Sequence, residues 1–98
     1  MTKFDLLTFK DTKSPKGIST VVEFGNGWGA SIIQNEVSYG GGSGLFELAV
    51  IDKDGNVSTE TDITDNVLGW MDEDDISRTL TAIELLDDDG VLPDGVTL

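Results

Sequence analysis

The seven residues Leu45-Phe46-Glu47-Leu48-Ala49-Val50-Ile51 constrain this chain more than any other stretch. They lie between a glycine run and an Asp-Gly turn, too short for a helix of their own, and they read as a strand. Alternate side chains of a strand point to opposite faces. Phe46, Leu48 and Val50 therefore share one face, while Leu45, Ala49 and Ile51 share the other. A strand apolar on both sides belongs at the centre of a sheet, with both faces expected to be covered. The chain has 98 residues and is 38% hydrophobic, enough for one modest core. The rest of the sequence must be arranged around this strand.

The flanking segments supply its neighbours. Ile18-Ser19-Thr20-Val21-Val22-Glu23-Phe24 is β-branched and reads as a strand. Gly25-Asn26-Gly27-Trp28 follows, with an Asn-Gly pair that signals a hairpin, read here as a type I′ turn with two positive φ angles. A second strand runs from Ala30 to about Tyr39, and Gly40-Gly41-Gly42-Ser43-Gly44 reads as a flexible turn. After the central strand, Asp52-Lys53-Asp54-Gly55-Asn56 is expected to turn the chain into a shorter polar strand at residues 57–61. Residues 63–70 read as a loop that lays Val67, Leu68 and Trp70 on the sheet.

The period then changes to that of a helix. Asp72 is a good N-cap, Asp75 stands three residues on, and Ile76, Leu80, Ile83 and Leu86 share one face. Glu73, Asp74 and Asp75 suit the positive end of the helix dipole. The helix should end near Asp87, leaving a short tail with an apolar beat at Val91, Leu92, Val96 and Leu98. The expected fold class is α+β: a four-stranded antiparallel β-meander with one C-terminal α-helix packed on one face. Residues 1–17 form a basic N-terminal segment, either a short strand or an arm, and residues 18–98 a single acidic domain.

Charge is distributed as unevenly as hydropathy. Residues 1–17 hold Lys3, Lys10, Lys13 and Lys16 against Asp5 and Asp11. Beyond Gly17 only Lys53 and Arg78 oppose the other 17 of the chain's 19 carboxylates. A field of that sign argues against nucleic acid and anionic membrane as direct ligands, and it permits a basic protein as partner. There is no Cys and no His, which removes disulfides, thiolate nucleophiles, the commonest general base and the commonest metal ligand. No stretch is apolar enough to span a bilayer and residues 1–5 lead into no signal-peptide core, so a cytoplasmic location is expected.

Each motif that suggests chemistry has a plainer reading. Gly25-Asn26-Gly27-Trp28-Gly29-Ala30 matches a loose dinucleotide fingerprint, but Ser31-Ile32-Ile33 follows it as strand where a helix is required. The glycine run at residues 40–44 lacks the Gly-Lys-Ser/Thr ending of a phosphate loop. Asp52 to Asn56 resembles the middle of a calcium loop, yet Val50 and Thr61 stand where that loop needs carboxylates. Paired carboxylates for glycoside chemistry would need a cleft that so small a domain rarely builds. No catalytic residue, cofactor or metal ligand is therefore assigned.

Asp72-Glu73-Asp74-Asp75 and Asp87-Asp88-Asp89 are the densest acidic clusters. The first is explained by capping. The second opposes the helix dipole, a local cost that hints at function. Trp28 and Tyr39, beside glycine-rich turns, are the aromatics expected to be exposed and to anchor an interface. Asp72, Glu73, Asp74, Asp75, Asp87, Asp88, Asp89, Trp28 and Tyr39 are thus the candidate partner-binding residues.

Several pieces of the sequence occur in an order that resembles a group of small uncharacterised bacteriophage proteins. They are Ser14-Pro15-Lys16-Gly17, Asn26-Gly27, Ser38-Tyr39-Gly40-Gly41, Gly44-Leu45-Phe46-Glu47-Leu48-Ala49-Val50, Asp54-Gly55, and residues 65–70 before the acidic helix. The resemblance spans residues 14–86 and transfers no catalytic residue. It implies a phage accessory protein acting in the cytoplasm of a bacterial host. The expected function is non-enzymatic binding of a basic host or phage protein, such as a nucleic-acid-binding protein, through an acidic surface, with DNA mimicry as its sharper form. The alternative is a homo-oligomeric, homodimeric or virion-associated structural part, in which the acidic surface only provides solubility.

Overall fold

The computed structural model describes residues 2–97, so Met1 of the basic segment and Leu98 of the apolar tail lie outside the described residues. The fold is α+β, with an antiparallel sheet and one C-terminal helix. Its strands are β1 (Lys10–Lys13), β2 (Lys16–Glu23), β3 (Gly29–Asn35), β4 (Phe46–Ile51) and β5 (Leu68–Met71), and the helix is α1 (Glu73–Glu84). They form a meander in the order β1-β2-β3-β4-β5.

The sheet has five strands, not the expected four, and the difference arises at both edges. At one edge, the chain reverses at Ser14-Pro15 and pairs Lys13 with Lys16 and Lys10 with Ser19, so part of the basic segment is β1. At the other, residues 57–61 do not form the expected strand. Val57 makes one bridge to Ile51 and Ser58 N donates to Val50 O at 2.8 Å. The chain then turns away, because Asp62 ties to the C-terminal loop: its N–H donates to Gly90 O, and its carboxylate accepts from Leu92 N. The place beside β4 is taken by β5, which the sequence reads as loop.

The β2–β3 hairpin also differs from a type I′ turn. Phe24 N donates to Trp28 O at 2.8 Å and Gly27 N to Phe24 O at 3.1 Å, giving a three-residue loop. Only Gly27 has a positive φ, +91°. This is the turn-plus-bulge solution, and it needs glycine at that one position. Asn26 is thereby relieved of any unusual backbone duty, and its side chain serves the helix instead.

Register decides which face is buried. Val22 lies opposite Ala30, Ala30 opposite Val50, and Ile32 opposite Leu48. On this face α1 lays down Ile76, Leu80 and Ile83, and all of these except the half-buried Val22 are essentially inaccessible. Burial of each large apolar side chain contributes roughly 1.5–3 kcal/mol. Thr79, buried among them, donates its hydroxyl to Asp75 O at 2.8 Å, so no polar group is stranded there. Phe4 and Phe9 extend the same core, their ring centroids 5.1 Å and 5.6 Å from that of Phe46. Phe4 N also donates to Ser77 Oγ on α1.

The opposite face of β4 is not covered as expected. Ala49 and Ile51 are half-buried, and among the described residues no helix crosses that side. Ser19, Ser31, Ala49 and Glu47 line it with Ile33, a mixture small and polar enough to meet water.

Candidate functional site

The strand β5 and the helix that follows it build the most unusual corner of the molecule. Phe46 pairs with Met71 and Leu48 with Leu68, so two residues, Gly69 and Trp70, oppose Glu47 alone. This is a β-bulge. Trp70 adopts φ +55°, the one non-glycine residue with positive φ among those described. For a bulky side chain that conformation costs on the order of 1–3 kcal/mol and persists only where the surroundings impose it.

The surroundings are visible. Trp70 N donates to Tyr39 O at 3.1 Å, and Tyr39 N donates to Glu47 Oε1 at 3.0 Å. Gly40, with φ +91°, lies against the Trp70 backbone so closely that a Cβ there would be 2.9 Å from Trp70 Cα. The outcome is an exposed Trp70, 63% accessible, bonded through its backbone to an exposed Tyr39, 60% accessible. An edge bulge of this kind re-aims a side chain. Here strand alternation already sets Trp70 on the face opposite Met71, and the extra residue lets Leu68 as well as Met71 pair on the core face while Gly69 and Trp70 oppose Glu47.

Three residues beyond Trp70 the helix begins. Asp72 caps it, accepting from Asp75 N at 2.8 Å, while Asp75 accepts from Asp72 N at 3.1 Å. This reciprocal pair is worth about 1 kcal/mol. Asp72, Glu73 and Asp74 remain exposed, whereas Asp75 is half-buried and pairs with Arg78. The bond from Asp72 N holds the Asp75 carboxyl below its ordinary pKa of 3.8, and the Arg78 charge acts in the same direction. A depressed pKa means that the contribution to stability is present above 3.8 and is lost as pH falls through the folded value. Asp75→Asn is therefore expected to be less stable than the native chain at neutral pH. The difference should shrink below pH 3.8 in urea melts taken across the acid range.

The second acidic cluster stands at the far end of α1. A 12-residue helix rises ~18 Å, so the two clusters are separate surfaces. Asp87 has structural work: its Oδ1 accepts from Asp89 N at 2.9 Å and Val91 N at 3.0 Å, and its backbone carbonyl accepts from Trp28 Nε1 at 2.8 Å. Trp28 is accordingly half-buried and fastened, not the exposed anchor that its glycine neighbours suggest. Asp88 lines a hollow of about 170 Å³ with Trp28, Asn26, Asp52 and Asp54. Among the described residues no three acidic side chains converge tightly enough to hold a metal ion.

Of the nine residues singled out from sequence, the fold thus gathers Asp72, Glu73, Asp74, Asp75 and Tyr39 at one end of the helix. It places Asp87, Asp88, Asp89 and Trp28 at the other. Trp70 was missed because nothing in the sequence announces a left-handed tryptophan. Gly69 just before it, in a segment with little strand pattern of its own, is the one trace of a bulge that the sequence carries.

Electrostatically the surface is little compensated. Lys3–Glu84 and Arg78–Asp75 are the ion pairs among the described residues, against a net charge of −13. Self-repulsion of this size weakens with screening. The thermal midpoint at neutral pH is expected to rise by several degrees between low and ~0.2 M salt. A flat or falling midpoint would show that the acids are too dispersed to repel.

No helix among the described residues is long and apolar enough to cross a membrane. No family model matches the chain, and no curated protein or solved structure gives a significant match.

Proposed function

We propose that this chain is a non-enzymatic phage accessory protein that binds a basic host or phage protein. The contact surface is the end where β5 enters α1: Asp72, Glu73 and Asp74 form the charged rim, and Tyr39 and Trp70 the aromatic centre. The supporting observation is the left-handed, 63% exposed Trp70, held out beside Tyr39 and the acidic helix start. Conformational cost without a packing return points to use. Aromatic anchors ringed by charge are the composition of protein-binding hot spots. In the sharper form of this reading, the carboxylates stand in for phosphates and occupy a basic groove of a nucleic-acid-binding protein.

The test is capture from the native cell lysate at low salt, with the tagged chain as bait and elution by rising salt. A basic protein released by ~0.5 M salt supports the reading, since exposed ionic contacts are screened there. Trp70→Ala is expected to weaken that capture by ~2 kcal/mol, about thirtyfold, while leaving the fold intact. Retention that is indifferent to both salt and Trp70 would refute it.

A homo-oligomeric structural role is the second reading, favoured by the uncovered sheet face around Ile33, Ala49 and Ile51. It requires a dimer that survives micromolar dilution in light scattering.

A further inference from the structure

The outer edge of β2 is open over half its length. β1 pairs with it only as far as Lys10 opposite Ser19, and before Lys10 the chain leaves the sheet to bury Phe9 and Leu7 beneath it. The residues Thr20 to Glu23 are left with an empty lane beside them. The hairpin shows which backbone groups face that lane. Phe24 N bonds to Trp28 O, and the β2–β3 register continues without a shift, so Phe24, Val22 and Thr20 direct their N–H and C=O groups to β3. Those of Glu23 and Val21 therefore point outward.

Such an edge is a template for another strand, and proteins usually blunt it. Here it is bordered by a groove of about 520 Å³ lined by Leu6, Thr8, Lys10 and Val21, among others. A second hollow of about 250 Å³ adjoins it through Leu6, Leu7 and Val22. Leu6 is 69% and Val21 62% exposed. Two features narrow the occupant. The lane is closed at one end, because β1 fills it from Lys10 onward. At that closed end stands the Lys10 ammonium, without a carboxylate partner among the described residues.

We propose that this lane accepts the free C-terminal tail of a partner protein as an added strand, with its terminal carboxylate against Lys10. A strand antiparallel to β2 runs in the direction of β1, so its last residue abuts the lane's closed end. The residue before last exchanges two backbone hydrogen bonds with Val21, and the fourth from last exchanges two with Glu23. The last and third-from-last side chains fall on the helix side, over Leu6 and Leu7, and should be apolar. The fourth from last faces Glu23 and should be basic. A second copy of this chain is disfavoured by the net −13 that each copy carries. This surface is distinct from the Tyr39–Trp70 corner and stands or falls independently of it.

The test uses labelled synthetic peptides randomised over their C-terminal residues, offered once as free acids and once as C-terminal amides. Expected is selection of free acids with apolar last and third-from-last residues, with binding at least about tenfold weaker for the amides and for Lys10→Glu. Val21→Pro should weaken binding similarly while the fold persists, because the N–H it deletes serves no bond within the sheet. In the free protein, hydrogen exchange should be fast at the Val21 and Glu23 amides and slow at Thr20 and Val22. The peptide should then slow the first two. Equal binding of acids and amides, no selection at all, or protected Val21 and Glu23 amides in a self-associated chain would each overturn the proposal.

Discussion

Leu48→Ala is expected to remove about 3–5 kcal/mol of stability, the largest loss from any single truncation in this chain. Leu48 is wholly inaccessible, with Ile32 opposite it on β3 and Leu68 opposite it on β5. Strands on both sides prevent the backbone from closing on the space the side chain vacates, so the cavity term adds to the lost transfer energy. A domain of this size has a total stability of only ~5–15 kcal/mol, and each kcal/mol moves its midpoint by roughly 4–8 °C. The variant should therefore be near the limit of folding at 37 °C. Ile33→Ala provides the contrast, since Ile33 is half-buried on the other face of the neighbouring strand. Its expected cost is below about 1.5 kcal/mol. Urea melts of the two variants with unchanged slopes measure both. Equal losses would mean that the second face of the sheet is covered after all.

That contrast marks where sequence patterning reaches its limit. The central strand was legible because six of its seven residues are apolar, but an apolar residue at a strand position does not say what will cover it. Ala49 and Ile51 are half-buried although no helix among the described residues crosses their face. The helix was legible for a different reason: its start is chemical. Asp72 and Asp75 satisfy each other's backbone amides, and Ile76, Leu80 and Ile83 recur at a spacing that no strand would use.

The edges were less legible, because edge strands are short and their partners are chosen by tertiary geometry. Val57 to Thr61 has strand composition but is drawn off by the bonds of Asp62 to Gly90 and Leu92. Leu68 to Met71 has little strand pattern, with Gly69 inside it, and still completes the sheet because Met71 and Leu68 bring apolar surface to Phe46 and Leu48. The functional corner inherits the same difficulty. Its carboxylates could be counted from sequence, whereas the left-handed Trp70 sits in a bulge whose partners Tyr39, Gly40 and Glu47 stand 23 to 31 residues before it in the chain.

Asn26→Asp should show how the first hairpin and the helix hold each other. Asn26 Nδ2 donates to Ile83 O at 2.8 Å and to Leu86 O at 3.1 Å, and Asn26 Oδ1 accepts from Trp28 N at 3.1 Å. The last carbonyls of a helix have no partner within it, so a side chain from the β2–β3 loop serves as their cap. Asn26→Ala removes both donors and should cost about 1–3 kcal/mol. Asn26→Asp keeps the shape and the acceptor for Trp28 but sets a negative carboxylate against two carbonyl oxygens at the negative end of the helix dipole. It also adds a fourth carboxylate to the hollow lined by Asp52, Asp54 and Asp88, where Lys53 is the one cation. Its expected cost at pH 7 exceeds that of the alanine variant by ~1 kcal/mol or more. Protonation reverses the sign of that excess, since a neutral carboxyl carries a proton it can donate to one of the carbonyls. The introduced group has a folded pKa above its unfolded value of ~3.9, so the aspartate variant should recover relative to alanine as pH falls from 7 toward 4. Urea melts of both variants at several pH values would read this directly. An aspartate variant no weaker than alanine at neutral pH would show that the helix end is held by water and by Trp28 Nε1 on Asp87, and not by the hairpin.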